Sequence, residues 1–291
     1  MYLYMNGELV PKEEALISPF DHGFLYGVGL FETFRTYNGH PFLLDDHLER
    51  LNRGLEELNI YVQYTRSEIL HALQLLLKEN KLKDAYFRLN VSAGLGEIGL
   101  QTEPYVKPNM IIFAKPLPSR RSGQEKRAEI LKLNRNTPEG AERLKSHHFL
   151  NNILAKKEIG SSLDCEGIFL TKEGFLAEGV VSNLFWLKKK TLFTPTVDTG
   201  ILNGITRQFV IKLAKLNGFD VHEGFFTLTD AMTADEMFVT NSIQEVVPIS
   251  MFNGTPMPGA AGEKVKVLQQ IYEQQTVKLW SKEDLSRINW Q

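Results

Sequence analysis

Leucine recurs at helical spacing in two segments of the N-terminal third of the chain. The first segment predicts an amphipathic helix from Asp45 to about Leu58, with the Asp45 side chain capping its first amides. In the second, Thr65 and Glu68 have the spacing of a capping box. They predict a helix that starts after Thr65 and turns one apolar stripe inward, composed of Leu70, Leu73 and Leu77.

Runs of β-branched and aromatic residues surround these helices and predict the strands of a sheet, around residues 3–4, 31–37, 85–94 and 109–117. The segment PLPSRRSGQEKR (116–127) is rich in proline, serine, glycine and charge, which is typical of an exposed linker. We therefore predict a small α/β domain at 1–118, an interdomain linker at 119–127 and a larger domain at 128–291.

The second domain mixes strand-like and helix-like patterns without an internal repeat. Lys145 lies in the first predicted helix. The predicted helices span 143–159, 206–217 and about 261–280, and the predicted strands lie near 166–171, 180–187, 191–194, 236–240 and 245–249. The fold class is thus α/β in the broad sense, α+β in detail, with two domains.

Composition narrows the class of partner. The 291 residues are 43% hydrophobic and 23% charged, which is the composition of a globular protein, and the formal charge is -2. No basic run is longer than Lys188 to Lys190, so the sequence predicts a small-molecule partner and no nucleic acid. A single cysteine, Cys165, excludes an internal disulfide and fits a reducing compartment. The polar start and the absence of a long apolar run predict a cytoplasmic protein with no membrane partner.

Two segments have the character of anion sites. In LNGITR (202–207), the amides of Ile205 and Thr206 and the Thr206 hydroxyl open a predicted helix, where partial positive charge favours a phosphate. In TNSIQE (240–245), Asn241 and Ser242 occupy a predicted turn between strands, and such turns also bind anions. The alternatives are that Thr206 is a simple helix cap and that Asn241 and Ser242 are ordinary turn residues.

Two charged residues complete a possible cofactor site. Glu178 begins an apolar strand, where a carboxylate can accept a hydrogen bond from a protonated pyridine nitrogen. Lys145 can supply an amine for a Schiff base if it is partly desolvated. Taken alone, Glu178 also fits a surface glutamate beside a turn, and Lys145 a solvated charge.

Two longer motifs carry a resemblance to a known family. SPFDHGFLYGVGLFETFR (18–35) and NRNTPEGAERLKSHHFLNN (134–152) resemble fold-type IV pyridoxal phosphate enzymes, and within that group they are most similar to the aminodeoxychorismate lyases. The resemblance covers nearly the whole chain. It implies a small α/β sandwich domain followed by a larger pseudo-barrel domain that carries the lysine, pyridoxal 5'-phosphate in the cleft between them, and a homodimer.

The resemblance also implies residue roles. Lys145 matches the Schiff-base lysine, Glu178 the partner of the pyridine nitrogen, and Arg50 a phosphate ligand, although helical geometry alone predicts a solvated Arg50. The remaining phosphate ligands would be Ile205, Thr206 and Ser242. Residues expected to contact substrate are Thr33, which would also assist proton delivery, Arg88 and Asn241.

The implied reaction converts 4-amino-4-deoxychorismate into 4-aminobenzoate and pyruvate, a step toward folate, with Lys145 removing the proton from the carbon that bears nitrogen. Two departures from the family concern this reaction: Ile98 stands where some lyases have an arginine for a substrate carboxylate, and Phe149 replaces a tyrosine. Branched-chain or D-amino acid aminotransferases of the same fold are the alternative, because they share the cofactor residues. A binding protein without catalysis is the second alternative.

Overall fold

The computed structural model describes residues 1–117 and 123–287. Contacts divide the chain into two units. One comprises Met1–Pro118, Leu144–His148 and Thr276–Gln291, and the other Ser119–Arg143 and Phe149–Gln275. The predicted boundary after 118, and residues 119–122 of the predicted linker, lie outside the described residues. Two segments differ from the predicted domain 128–291, because 144–148, with Lys145, and the C-terminal segment group with the first unit.

The first unit is built on a six-stranded antiparallel sheet in the order β2-β1-β6-β5-β3-β4. Its strands are β1 (Tyr2–Met5), β2 (Glu8–Pro11), β3 (Gly29–Tyr37), β4 (His40–Pro41), β5 (Ala85–Ser92) and β6 (Asn109–Pro116). Its helices are α1 (His22–Leu25), α2 (Leu44–Glu57) and α3 (Arg66–Glu79). Leucines of α2 and α3 pack with β3, β5 and β6 in one apolar core.

The two long helices agree with the predicted periodicity, with two corrections in detail. Leu43, in a left-handed conformation, is the N-cap of α2, and Asp45 instead accepts hydrogen bonds from Arg66. The capping box of α3 is present as predicted. Its buried stripe is rotated by one position from the predicted one, because the sheet contacts the face formed by Ile69, Ala72, Leu73 and Leu76.

The prediction of a helix from 143 was wrong for its first seven residues, since α4 spans Leu150–Ile159. Residues 145–147 instead extend the edge of the first sheet. The Phe31 amide donates to the Lys145 carbonyl, the His147 amide donates to the Gly29 carbonyl, and Ser146 forms a bridge with Leu30. Backbone groups that are hydrogen-bonded to β3 cannot form the hydrogen bonds within a helix, so α4 begins later.

The second unit contains a nine-stranded sheet that closes on itself. Around the ring the order is β10-β13-β14-β7-β8-β9, and β9 returns to β10 through the pair Glu178 and Asn183. The strands are β7 (Lys126–Ile130), β8 (Cys165–Leu170), β9 (Leu176–Gly179), β10 (Asn183–Lys188), β11 (Thr191–Pro195), β12 (Asp220–Gly224), β13 (Glu236–Asn241), β14 (Glu245–Phe252) and β15 (Thr255–Pro256). This closed ring confirms the expected pseudo-barrel.

Three further helices belong to the second unit: α5 (Ile205–Leu216), α6 (Leu228–Met232) and α7 (Glu263–Glu273). Helix α7 is shorter than the predicted 261–280, because the chain beyond it joins the first unit, where the amides of Leu43 and Asp45 donate to the carbonyls of Leu279 and Trp280. Among the described residues, no helix combines the length and apolarity needed to cross a membrane.

Candidate active site

One face of the first sheet gathers three of the predicted site residues. Side chains alternate along β3, so Phe31 and Thr33 point away from the helices, and Arg88 of β5 pairs directly with Thr33. The Arg88 guanidinium carbon lies 3.6 Å from the centroid of the Phe31 ring. The Lys145 Nζ lies 4.6 Å from the same centroid. Lys145, Thr33 and Arg88 therefore share one face, which we call the open face.

Arg88 is held in place by its neighbours on β5. Its Nε donates to Asn90 Oδ1 at 3.2 Å, and its side chain also hydrogen-bonds Tyr86. Burial lowers the pKa of Arg88 from its ordinary value, but Arg88 remains a cation at neutral pH. It thus offers the open face a fixed positive charge, which suits a carboxylate ligand.

His147 also belongs to the open face, and sequence reasoning assigned it no role. Its ring packs over Gly29 so closely that a Cβ there would lie 2.5 Å from the His147 Cε1, which explains the glycine. Burial, followed by the charge of Arg88, lowers the pKa of His147 to about 4. The ring hydrogen-bonds the Leu30 backbone, while its buried Nε2 has no hydrogen-bond partner among the residues that the structure describes.

Arg50 lies on the opposite, helix-facing side of β3. Its Nε and Nη2 each donate to a Glu32 carboxylate oxygen at 2.7 Å, and His47 Nδ1 donates to the same carboxylate at 2.6 Å. Burial acts to raise the pKa of Glu32, but Arg50 and His47 outweigh it and lower the pKa to about 2. The expectation from helical geometry that Arg50 is solvated was wrong, because its guanidinium is largely buried against Glu32.

In the second unit, Glu178 lies at the seam where the sheet closes. Its Oε1 accepts from Arg135 Nε at 2.8 Å, and Arg143 Nε is 4.0 Å away. Its Oε2 accepts from the Leu202 amide at 3.1 Å and from Asn183 Nδ2 at 3.4 Å. Glu178 is therefore a buried carboxylate whose charge is compensated by guanidinium groups.

The two arginines around Glu178 were not assigned by sequence reasoning. Burial, followed by repulsion from Arg135, lowers the pKa of Arg143 to about 10, so it stays charged at neutral pH. Both arginines lie in the NRNTPEGAER run that carried the resemblance. The density of polar residues in that run was the signal that could have identified them.

The beginning of α5 brings an uncapped helix N-terminus close to two hydroxyl groups. Gly204 is the N-cap and the helix has no side-chain cap, so the reading of Thr206 as a simple cap was wrong. Thr206 Oγ1 instead lies 3.1 Å from Ser242 Oγ. A Cβ at Gly204 would lie 2.2 Å from Asn183 Oδ1, so glycine is needed where the loop passes Asn183. Ile205 follows as the first helical residue.

Asn241 shapes the turn that holds Ser242. Its Oδ1 accepts from the amides of Ile243 and Gln244, and its Nδ2 donates to Gln244 Oε1 at 3.2 Å. This is the local hydrogen bonding expected of a turn asparagine, so the turn reading holds for its side chain.

Ile98 lies in a loop of the first unit whose backbone is hydrogen-bonded to His22 at the preceding residue, Glu97. The His22 Nδ1 and Tyr105 hydroxyl are 2.7 Å apart, and His22 Nε2 lies 2.8 Å from the Glu97 carbonyl oxygen. Ile98 itself is exposed. The Phe149 that replaces a tyrosine precedes α4 as its N-cap residue.

The donor set of the second unit fits pyridoxal phosphate. A buried carboxylate, Glu178, can accept from a protonated ring nitrogen, and the paired hydroxyls of Thr206 and Ser242 beside an uncapped helix N-terminus can donate to a phosphate. The Leu202 amide donates to Glu178, and only two residues separate Leu202 from the start of α5. One short loop therefore connects the Glu178 carboxylate with the N-terminus of α5.

Comparisons with known proteins identify the relatives of this chain. The sequence profile described as Amino-transferase class IV matches residues 29–252. Aminodeoxychorismate lyase of Bacillus subtilis (strain 168) is 46% identical over 275 residues, covering 94% of each chain. A putative branched-chain-amino-acid aminotransferase of Methanocaldococcus jannaschii is 37% identical, covering 94% of this chain and 96% of that protein.

Solved structures extend the similarity to the fold. Branched-chain aminotransferase of Thermoproteus uzoniensis, solved with norvaline, has a TM-score of 0.86 at 28% identity, with 98% of this chain and 97% of that chain covered. The branched-chain amino acid aminotransferase of Thermobaculum terrenum in its PLP form has a TM-score of 0.82 at 28% identity, with coverage of 95% and 93%. Profile, sequence relatives and structures all span most of the chain, which therefore belongs to the amino-transferase class IV family.

Proposed function

We propose that this chain is a pyridoxal phosphate-dependent lyase that converts 4-amino-4-deoxychorismate into 4-aminobenzoate and pyruvate, a step of folate biosynthesis. The structural observation that carries the proposal is the open face, where Lys145, Thr33 and Arg88 lie together around Phe31. The 46% identity to a lyase over 94% of the chain supports it over aminotransfer, for which the reported relative is 37% identical.

Six residues would hold the cofactor. Lys145 would bind it covalently, and the resemblance assigns Arg50, whose guanidinium also donates to Glu32, to its phosphate. Glu178 would hold the pyridine nitrogen, and Ile205, Thr206 and Ser242 would bind the phosphate. When bound, pyridoxal phosphate supplies an electron sink for the negative charge left at the carbon that bears the substrate nitrogen.

The protein groups then divide the proton transfers. The Lys145 amine removes the proton from that carbon, and the bond from the ring to the enolpyruvyl oxygen breaks as the ring becomes aromatic. Thr33 lies beside Arg88 on the open face and would deliver a proton to, or orient, the leaving oxygen. Arg88 would bind a substrate carboxylate, in place of the arginine that Ile98 replaces, and Asn241 would contact the substrate.

Aminotransfer to a branched-chain or D-amino acid product is the second candidate. The observation that favours it is the strand AYFR (85–88), which is similar to the substrate strand of branched-chain aminotransferases and places Tyr86 and Arg88 together on the open face. A binding protein of this fold without catalysis is the remaining alternative, and it would release no product and stay colourless even with added cofactor.

The deciding experiment incubates the purified protein, loaded with cofactor, with 4-amino-4-deoxychorismate. We expect 4-aminobenzoate and pyruvate in equal amounts, and none of either from a Lys145→Ala control. A parallel incubation supplies 2-oxoglutarate with a branched-chain or D-amino acid as amino donor. Transfer of the amino group there, with no 4-aminobenzoate from aminodeoxychorismate, would replace the lyase assignment by the aminotransferase one.

A homodimer in the cytoplasm completes the proposal. Its support is an apolar, exposed face of α4, where Leu150, Ile153 and Leu154 follow helical spacing. Sedimentation of the holoenzyme should give twice the chain mass, and Ile153→Glu should weaken the association. A wild-type monomer at micromolar concentration would refute it.

A further inference from the structure

A buried lysine, Lys126, forms an ion pair in the second unit. Lys126 is the first residue of β7, and its side chain is only 6% exposed. Its Nζ donates to Glu166 Oε2 at 2.7 Å and to Gln244 Oε1 at 3.1 Å. The predicted linker 119–127 placed Lys126 in an exposed segment, and this was wrong because β7 pairs on both sides, with β14 and β8.

The carboxylate of this pair reaches the turn that follows Glu178. Glu166 Oε1 accepts from the Ser182 hydroxyl at 2.9 Å and from the Val181 amide at 3.4 Å. Gly179 lies against both partners, since a Cβ there would lie 2.1 Å from Ser182 Oγ and 2.6 Å from Glu166 Oε1. The turn 179–182 is thus fixed by Glu166, and Glu178 precedes it directly.

The ammonium of the pair reaches the turn that carries Ser242. Gln244 Oε1 accepts from Lys126 and also from Asn241 Nδ2. Asn241 in turn closes the turn through the Ile243 and Gln244 amides. Lys126 is therefore linked through the Gln244 and Asn241 side chains to the backbone amides that follow Ser242, whose hydroxyl faces Thr206.

A buried ion pair of this kind is poorly explained by stability alone. Removing two charges from water costs about as much as their attraction returns, and an apolar pair of similar volume often replaces them without loss. What an apolar pair cannot supply is the directed hydrogen bonds to Ser182, Val181 and Gln244. These bonds end on two turns that flank proposed cofactor ligands.

We propose that the Lys126–Glu166 pair is a positioning device that holds the Ser242 turn, and with it the Ser242 and Thr206 hydroxyls, in the geometry that binds a phosphate. This inference rests on the proposed function, because it takes that phosphate to belong to the cofactor. Lys126 and Glu166 act through Gln244 and Ser182 rather than on the cofactor itself.

The test compares the affinity of the cofactor-free protein for pyridoxal phosphate with its affinity for pyridoxal, which lacks the phosphate. The ratio of the two dissociation constants isolates the phosphate contribution. The variants are Lys126→Met, Gln244→Met and the double variant Lys126→Met with Glu166→Met. Lys264→Met is the matched control, because Lys264 pairs with Asp235 on the surface of the same unit. Thermal unfolding is measured for each protein.

We expect Lys126→Met and Gln244→Met to weaken pyridoxal phosphate binding about tenfold while pyridoxal affinity stays the same. The double variant should regain most of the unfolding temperature that Lys126→Met loses, because no buried charge is left uncompensated, but it should keep the weakened phosphate affinity. Lys126→Arg should recover part of the ratio, and Lys264→Met should not change it.

Two outcomes would overturn the inference, and they are distinguishable. A wild-type protein that binds pyridoxal as tightly as pyridoxal phosphate would refute the phosphate site of the proposed function, and the positioning role with it. A wild-type preference for the phosphate that persists unchanged in Gln244→Met and in the double variant would refute the positioning role alone and leave the proposed function intact.

Discussion

Two lysines, Lys145 and Lys126, have opposite surroundings in this protein. Lys145 lies on a sheet edge with its ammonium over the Phe31 ring, which it shares with the guanidinium of Arg88. Lys126 is enclosed in the second unit with its ammonium 2.7 Å from the Glu166 carboxylate. A neighbouring carboxylate favours the charged form of a lysine, whereas a neighbouring guanidinium disfavours it. The comparison teaches that the proposed roles of the two lysines go with different charged neighbours, Arg88 for Lys145 and Glu166 for Lys126.

The substitution with the largest expected effect on this contrast is Lys145→Ala. We expect product formation to fall by at least about a thousandfold and the visible absorbance of the bound cofactor to disappear, because the proposed covalent attachment and the proposed proton acceptor are both lost. The free energy of unfolding of the cofactor-free protein should change by less than about 0.5 kcal/mol. Lys115→Ala is the control on the same face, where Lys115 stacks on Tyr86, and it should retain the absorbance.

The second test removes the other lysine. Lys126→Met should lower the free energy of unfolding by about 3–5 kcal/mol, since Glu166 is left as a buried charge without its partner. Urea unfolding of the cofactor-free protein measures this loss. A change below about 1 kcal/mol would show that Glu166 finds other compensation, and the contrast between the lysines would then be lost.

The third test measures how the pKa of His147, a neighbour of Lys145 on the open face, affects the stability of the protein. The folded protein lowers the pKa of His147 to about 4, while the unfolded chain binds a proton near 6.5. The unfolded state therefore holds more protons between these values, and stability should fall by about 2–3 kcal/mol as the pH drops from 6.5 to 4.5. The variant His147→Gln should flatten this part of the curve.

Glu32 does not contribute to the change expected between pH 6.5 and 4.5. The pKa of Glu32 is lowered to about 2, so its contribution to stability is complete above 4.5 and is lost only below that pH. An unchanged slope in His147→Gln between pH 6.5 and 4.5 would assign the pH dependence to other residues.

The smallest effect is expected from an exposed pair. Lys264→Ala separates Lys264 from Asp235, a pair 3.6 Å apart whose side chains are 34% and 49% exposed. Solvent screening limits such a pair to less than about 0.5 kcal/mol. If denaturant unfolding gives a loss as large as that of Lys126→Met, burial of the ion pair is not the cause of the larger effect.

Local signals in the sequence were sufficient for much of the fold. Leucine spacing and the capping box of Thr65 and Glu68 identified α2 and α3, because a helix is decided by residues three or four positions apart. Short-range patterns also located β3, β5 and β6. The predictions of helix ends and of buried helix faces were less accurate, because the packing of Ile69 depends on a sheet that is distant in sequence.

The features that were missed depend on long-range pairing. The segment around Lys145 has helical character locally, but its backbone bonds to β3, more than a hundred residues earlier. Lys126 lies in a polar run of the sequence, but it is buried because β7 pairs with β14 and β8. The resemblance brought Thr206 and Ser242 into one proposed site, and their hydroxyls are 3.1 Å apart, although nothing local links two residues so far apart in the chain.

The pairing of residues 145–147 with β3 has a consequence for synthesis of the chain. Residue 145 is made more than a hundred residues after Phe31, which at ribosomal rates is a delay of roughly ten seconds. During that time the start of the β3 edge presents open hydrogen-bonding groups to any neighbouring nascent chain, and exposed strand edges of this kind promote aggregation. The segment that brings Lys145 to the sheet also protects that edge.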